Sequence, residues 1–316
     1  MVRVAATEML TSQVRKFTLV DEGGSLLPAF SPGSHIVLNL AHQDRRWSNS
    51  YSLIGDPSER GFYQIAVRRE EMDRSKGGSA YLHDQVNTDA VLEIKTPRNF
   101  FPIARNARKH VLVAGGIGIT PFLSYLPVLS RQSVPFELHY AFRDHSLGAF
   151  AGQLCDEFSD HVKFYISGEG RRLSPSALLA DQPLGTHIYV CGPHSLISAV
   201  SGAAAELGLP AACIHFEEFA PPVLNDAEPF MVSLPELGLK LKVGATETLL
   251  EALEKAQVPI ASSCRVGQCG TCELNVLSGS PDHRDRCLTE DEWAMGRLLA
   301  CVSRCHGEQL EVALPG

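Results

Sequence analysis

Cys264, Cys269 and Cys272 fall in the spacing C-x4-C-x2-C, and no other feature of the 316 residues constrains the fold as tightly. Three thiols on one short loop must converge on something compact, so the chain around them needs small residues and free backbone N–H groups. Ser262, Ser263, Gly267, Gly270 and Thr271 supply both. The spacing matches the plant-type arrangement in which four thiolates hold a [2Fe-2S] cluster, with N–H donors near the sulfurs tuning its potential. Cys301 lies further along the chain, and Cys305 is one turn beyond it if that stretch is helical, so either can be the fourth ligand. Structural zinc would more often use two C-x2-C pairs, and only one is present. Six of the nine cysteines lie between Cys264 and Cys305, which points to metal or redox chemistry rather than a disulfide framework. Cys155, Cys213, Cys287 and Cys305 otherwise read as ordinary packed or surface thiols.

The rest of the composition narrows the class. A chain this long holds more than one domain. The net charge of -8, from 28 Lys and Arg against 36 Asp and Glu, argues against nucleic acid as a partner. No run approaches the roughly 18 apolar residues of a membrane span, and the first residues lack the apolar core of a secretory signal. A cytoplasmic protein without membrane contact is expected.

Three textures follow one another. Residues 1–103 are strand-rich, with HIVLNL (35–40), the run 47–54 and FYQIAVR (62–68) separated by turns and one helix expected over 79–85. They read as an antiparallel β-barrel. Residues 104–220 alternate strands (110–114, 137–142, 162–166, 187–191, 213–217) with helices such as 121–130 and 195–207, the pattern of a doubly wound parallel sheet. The Pro-rich stretch 221–229 reads as a linker. Residues 230–316 carry the cysteines, a helix expected near 246–256 and the strand ELNVL (273–277).

A glycine turn joins the first of those α/β strands to a helix. Gly115, Gly116 and Gly118 permit close backbone approach, and the helix N-terminus then faces a phosphate. The usual dinucleotide fingerprint would have a third glycine at position 121, where Pro121 suits a first helical turn instead. Cys191-Gly192-Pro193 also ends a strand, at the edge where α/β sheets bind ligands. The strand ELHYAF ends at Arg143-Asp144, about where such a site meets the adenosine ribose. Asp144 can accept a hydrogen bond from a free 2′-hydroxyl, whereas Arg143 would suit a 2′-phosphate.

Taken together these motifs resemble the phthalate dioxygenase reductase family, which includes the reductases of vanillate demethylase and carnitine monooxygenase. The resemblance covers nearly the whole chain, in the order flavin barrel, ferredoxin-reductase-type NAD domain, C-terminal β-grasp ferredoxin. Tyr51-Ser52-Leu53, preceded by Asn49 and Ser50, is similar to the family's flavin strand, and Ala66-Val67-Arg68 to the segment that meets the flavin ring. Lys76-Gly77-Gly78-Ser79 resembles the turn that holds the FMN phosphate. Gly116-Ile117-Gly118-Ile119-Thr120-Pro121 resembles the NAD turn, with Thr120 also near the flavin. Glu217-Glu218-Phe219 resembles a segment whose Phe covers the flavin where nicotinamide must enter. Cys301-Val302-Ser303-Arg304 resembles the family's C-V-S-R, which selects Cys301 over Cys305. Asp282-His283-Arg284-Asp285 also resembles a family segment, with no chemical role assigned to it.

Two departures stand out. Asn49 occupies a position where the family has Arg, and Lys76 replaces the Arg before Gly-Gly-Ser, so a phosphate there loses bidentate partners and keeps a point charge with backbone donors. The resemblance implies FMN, NADH and a [2Fe-2S] cluster held by Cys264, Cys269, Cys272 and Cys301. It also implies a monomeric reductase that serves a separate Rieske-type oxygenase, with Phe219, Thr120 and Cys191 nearest the hydride chemistry and Gly116, Gly118, Pro121, Arg143, Asp144, Cys191, Gly192 and Pro193 on the NAD. A reductase for a non-oxygenase acceptor and a zinc-stabilised scaffold are the alternatives.

Overall fold

The computed structural model describes residues 1–43, 45–70, 77–219 and 228–315, which fall into two compact units, Met1–Glu218 and Phe219–Gly316. The first unit begins with an antiparallel barrel. Its strands are β1 (Val2–Met9), β2 (Val14–Asp21), β3 (Ser34–His42), β4 (Arg45–Ser52) and β5 (Tyr63–Arg68), then β6 (Val91–Ile94) and the short β7 (Arg98–Asn99), with helix α1 (Gly78–Asp84) after β5. The order β4-β3-β6-β1-β2-β5 leaves β4 and β5 as the two edges, and a bridge between Ile54 and Gln64 joins those edges to make a nearly closed barrel. Inward residues such as Val4, Phe17, Leu19, Ile36, Leu38 and Ile65 alternate along the strands and fill the interior. β4 starts before the expected position 47, because the β3–β4 hairpin carries pairing out to His42 and Arg45.

The same unit continues as an α/β layer: β8 (Lys109–Gly115), α2 (Thr120–Arg131), β9 (Phe136–Phe142), α3 (Ala151–Phe158), β10 (Val162–Ile166), α4 (Pro175–Leu179), β11 (Thr186–Cys191), α5 (His194–Glu206) and β12 (Ile214–Glu217). All strands run parallel in the order β10-β9-β8-β11-β12. The chain therefore reverses direction across the sheet between β8 and β11, and ligands bind at such a switch point. Cys213 ends a 3-10 turn rather than starting β12.

No seam of loose packing divides barrel from α/β layer at 103/104. One buried cluster unites Val14, Ile54, Ala66 and Phe101 with Leu112, Phe122, Tyr125 and Tyr189. Polar ties cross the same boundary: Gly33 N–H donates to Ser124 Oγ at 3.0 Å, Ala104 N–H to Tyr189 Oη at 2.8 Å, and Arg131 pairs with Asp56.

The second unit has β13 (Phe230–Leu234), β14 (Leu239–Val243), α6 (Leu249–Lys255), β15 (Glu273–Ser278), β16 (Pro281–Asp282), α7 (Glu290–Ala294), β17 (Arg297–Leu299), β18 (Arg304–Cys305) and β19 (Gln309–Ala313). A mixed sheet in the order β14-β13-β19-β15-β17, with β13 and β19 parallel and α6 packed by Leu249, Leu250 and Leu253, is the β-grasp arrangement. α6 begins later than 246 because Thr248 is its N-cap, in a reciprocal capping box with Glu251. The residues after Cys301 form a turn and then β18 rather than a helix, so Cys305 is not one helical turn from Cys301. Most of the expected linker lies outside the described residues.

Candidate functional site

Strand alternation on β4 sends Trp47, Asn49 and Tyr51 to one face and Ser48, Ser50 and Ser52 to the other. The first face lies over the start of α1. Gly77 has φ +100°, and a Cβ there would fall 3.3 Å from the Trp47 ring, while a Cβ on Gly78 would fall 2.4 Å from Asn49 Nδ2. Only glycines allow β4 and α1 to meet this closely. Asn49 Nδ2 donates to Tyr51 Oη at 3.2 Å, and burial pushes the Tyr51 hydroxyl up to about 12. On the opposite face Ser52 is buried with its Oγ unpartnered among the described residues. Ser79 Oγ accepts from Glu70 N–H at 3.1 Å, and Arg68 pairs with Glu70 at 2.6 Å. Ala66 and Val67 are buried on opposite sides of β5, Ala66 in the core shared with the α/β layer and Val67 in the barrel core. Lys76 lies outside the described residues. Trp47, which the motif reading passed over, packs against Gly77, Gly78 and Tyr81; its place two residues before Asn49 on the same strand face was the available signal.

At the switch point the two sheet-end motifs interlock backbone to backbone. A Cβ on Gly118 would fall 2.3 Å from Cys191 O, and one on Gly115 would fall 2.8 Å from Pro193 Cδ. Gly116, at φ +53°, has open space beside it, as a ligand-facing glycine requires. Thr120 is buried at the start of α2 and donates from Oγ1 to Ile117 O at 3.0 Å, and Pro121 occupies the first turn. β5 packs against the Gly116–Ile119 turn, so the segment expected to meet the flavin ring and the nucleotide turn adjoin.

Cys191 is fully buried. Burial, with Glu217 and Glu218 adding to it, pushes its thiol well up, so it stays protonated. Glu217 stands opposite Cys191 on β12, buried, with Oε2 unpartnered among the described residues, and burial raises its carboxyl to about 8. A neutral carboxyl and a neutral thiol thus face each other at the ligand end of the sheet. Arg143 and Asp144 follow β9; Asp144 Oδ1 accepts from Ser146 N–H at 2.9 Å, and both residues are exposed. Phe219, just past β12, is 44% exposed.

The cysteine loop is a run of tight turns, with Arg265, Gly267 and Gly270 all at positive φ. Cys264 Sγ accepts from Val266 N–H at 3.5 Å and Gln268 N–H at 3.4 Å, the donor pattern that suits a thiolate sulfur. The thiols meet two by two, Cys264 with Cys269 and Cys272 with Cys301. The hydrogen bond from Cys264 draws Cys269 down to about 5 and drives Cys264 up. Among the described residues no group of three or more His, Cys, Asp or Glu gathers as a single-ion site. Cys301 is tied in by Ala300, whose N–H donates to Cys272 O at 3.0 Å and whose carbonyl receives Leu250 N–H at 2.9 Å. Cys305 is engaged elsewhere, with Sγ 3.4 Å from Gln309 O. Loop geometry, N–H donors and paired thiols all fit a two-iron cluster.

Comparison with known proteins covers the chain in three pieces. Family models match at residues 1–102 (oxidoreductase FAD-binding domain), 92–214 (dimethylamine monooxygenase subunit DmmA-like, N-terminal domain) and 235–306 (2Fe-2S iron-sulfur cluster binding domain). The carnitine monooxygenase reductase subunit of Escherichia coli K12 is 42% identical over 99% of this chain and 98% of its own length. The heme-dependent oxidative N-demethylase beta subunit of Ectopseudomonas mendocina is 42% identical over 98% of this chain and 97% of its own. A solved structure described as phthalate dioxygenase reductase, a modular structure for electron transfer from pyridine nucleotides to [2Fe-2S], matches with TM-score 0.81 and 32% identity over 99% of this chain and 97% of that one.

Proposed function

The chain belongs to the phthalate dioxygenase reductase family, and on that premise we propose that it is the NADH-dependent, FMN-containing reductase of a Rieske-type oxygenase. It is an oxidoreductase with a flavin-binding domain and a [2Fe-2S] domain. What carries the reading is that β5, with the segment expected to meet the flavin ring, and the nucleotide turn adjoin within one packed unit, which would bring a two-electron donor to a flavin. The flavin, when bound, converts that pair into single electrons, and the cluster conveys them one at a time.

The chain's own residues bind, orient and shield. Trp47, Asn49, Ser50, Tyr51 and Ser52 would hold the flavin from β4, with Ala66, Val67 and Arg68 from β5. Gly77, Gly78 and Ser79, and Lys76 beyond the described residues, would hold its phosphate. Thr120 borders the ring, and Phe219 covers it until nicotinamide enters. Gly116, Gly118, Pro121, Gly192 and Pro193 form the nucleotide cradle. Cys191 and Glu217, both neutral, line its inner end without repelling a hydride donor. Asp144, through its remaining oxygen, selects the free 2′-hydroxyl of NADH, and Arg143 opposes that selection. Cys264, Cys269, Cys272 and Cys301 would hold the cluster through their thiolates. A cytoplasmic location and a monomeric state are part of the same proposal. Among the described residues no helix is long and apolar enough to cross a membrane.

Purified protein should release FMN on acid treatment and show a higher kcat/KM for NADH than for NADPH with an artificial one-electron acceptor. Asp144→Ala should narrow that gap. Recovery of FAD at one per chain, or equal use of NADPH, would overturn these assignments. A second reading of the partner has its own support, since a heme-dependent N-demethylase subunit is as similar to this chain as a carnitine monooxygenase reductase. The oxygenase that copurifies decides between them, because a haem Soret band is unlike the spectrum of a Rieske centre.

A further inference from the structure

The Asp282-His283-Arg284-Asp285 segment lies across the cysteine loop. Its first residue pairs through the backbone with Arg304 in the β16–β18 ladder, three residues past Cys301. The His283 ring stacks on Trp293 of α7 with centroids 4.7 Å apart and planes 12° from parallel. Asp285 is buried, and its Oδ2 accepts from Cys287 N–H at 3.3 Å and Leu288 N–H at 2.9 Å. The bend so fixed presses on the tip of the cysteine loop. A Cβ on Gly267 would fall 3.1 Å from Asp285 Cα and 2.7 Å from Val302 Cγ2, so both groups close on the Cβ position that glycine leaves empty. Arg286 N–H also donates to Gly267 O at 3.1 Å.

We propose that this segment is a strap with Asp285 as its positioning residue, packing with Val302 against Gly267 so that the Cys264–Cys272 loop and Cys301 are held in one frame. The inference rests on the ligand assignment above. The strap ties together two chain segments far apart in sequence, which the four thiols alone cannot hold before a cluster is present. Its carboxylate acts through the backbone of Cys287 and Leu288, so an amide oxygen can substitute for it and a methyl group cannot.

The test uses the full-length, cluster-loaded protein and follows loss of visible absorbance under an iron chelator, with the EPR spectrum of the reduced cluster alongside. Asp285→Ala is expected to shed iron about tenfold faster than the parent and to broaden the EPR signal, the size of effect usual when a residue supporting metal ligands is lost. Asp285→Asn is expected to behave like the parent. Thr289→Ala, which removes the α7 cap made with Glu292, controls for plain destabilisation and is expected to leave the shedding rate unchanged. Parent-like shedding by Asp285→Ala overturns the strap, as does equal acceleration by Thr289→Ala or failure of Asp285→Asn to rescue. Cys301→Ser separates this from the ligand assignment: a normal cluster in that variant would refute the ligand set, whatever Asp285 does.

Discussion

Glu217 is the residue whose behaviour the surrounding protein changes most visibly. Nothing in Glu217-Glu218-Phe219 marks the first carboxylate as buried and the second as half-buried; β12 pairing opposite Cys191 does that. Burial raises Glu217 to about 8 from an ordinary value of 4.5. Between those values the folded chain keeps a proton that the unfolded chain releases, so folding stability falls as pH rises through the window, by about 1.4 kcal/mol per unit at most. Below the window both states are protonated and the contribution is constant. Urea unfolding from pH 5 to 8 should therefore show a downward slope that Glu217→Gln flattens; an unchanged slope in the variant would refute burial as its source. The cysteines were legible at this scale because ligand spacing is local. Asp285 was visible only as part of a motif, since its partners are backbone groups that sequence does not mark.

Among elements, the junction of β8, the Gly116–Ile119 turn and α2 shows how two short motifs become one site. Gly115, Gly116 and Gly118 read as a phosphate turn, and Cys191-Gly192-Pro193 as a separate strand end. The interlock between them follows from β8 and β11 being neighbours at the switch point, which no local pattern contains. Gly118→Ala would force a methyl group into the Cys191 carbonyl, and backbone there cannot give way as a flexible side chain would. The variant should lose about 1–3 kcal/mol of stability by overpacking. Its kcat/KM for NADH should fall by about a hundredfold, as expected for a reactant misplaced by an ångström, with flavin content retained. Normal NADH kinetics would show that the turn does not bear on the nucleotide. Helix limits moved for similarly specific reasons, as where Thr248 caps α6 and delays its start.

For the whole molecule, the texture change near residue 103 suggested a domain boundary, yet Val14, Ile54, Ala66 and Phe101 share a core with Leu112, Phe122, Tyr125 and Tyr189. A fragment of residues 1–103 would expose that surface and should be unfolded or aggregated by circular dichroism and sedimentation, whereas 1–218 should unfold in one cooperative urea transition. A stable, monomeric 1–103 fragment would refute the shared core. The sequence by itself determined a strand-rich barrel followed by an alternating α/β layer and a cysteine-bearing third part, because strand and helix periodicities and cysteine spacing are short-range properties, while the β-grasp ferredoxin came from the family resemblance. It also marked the glycine turn and the cysteine loop, whereas the residues put forward on β4 and β5 rested on the resemblance. Only the tertiary structure decided that barrel and α/β layer pack as one unit, that Trp47 and Asn49 close over Gly77 and Gly78, that Glu217 is a neutral acid beside Cys191, and that the Asp285 strap bears on Gly267. Each of these depends on contacts between segments tens of residues or more apart, or on desolvation, and neither is encoded in the spacing of neighbours along the chain.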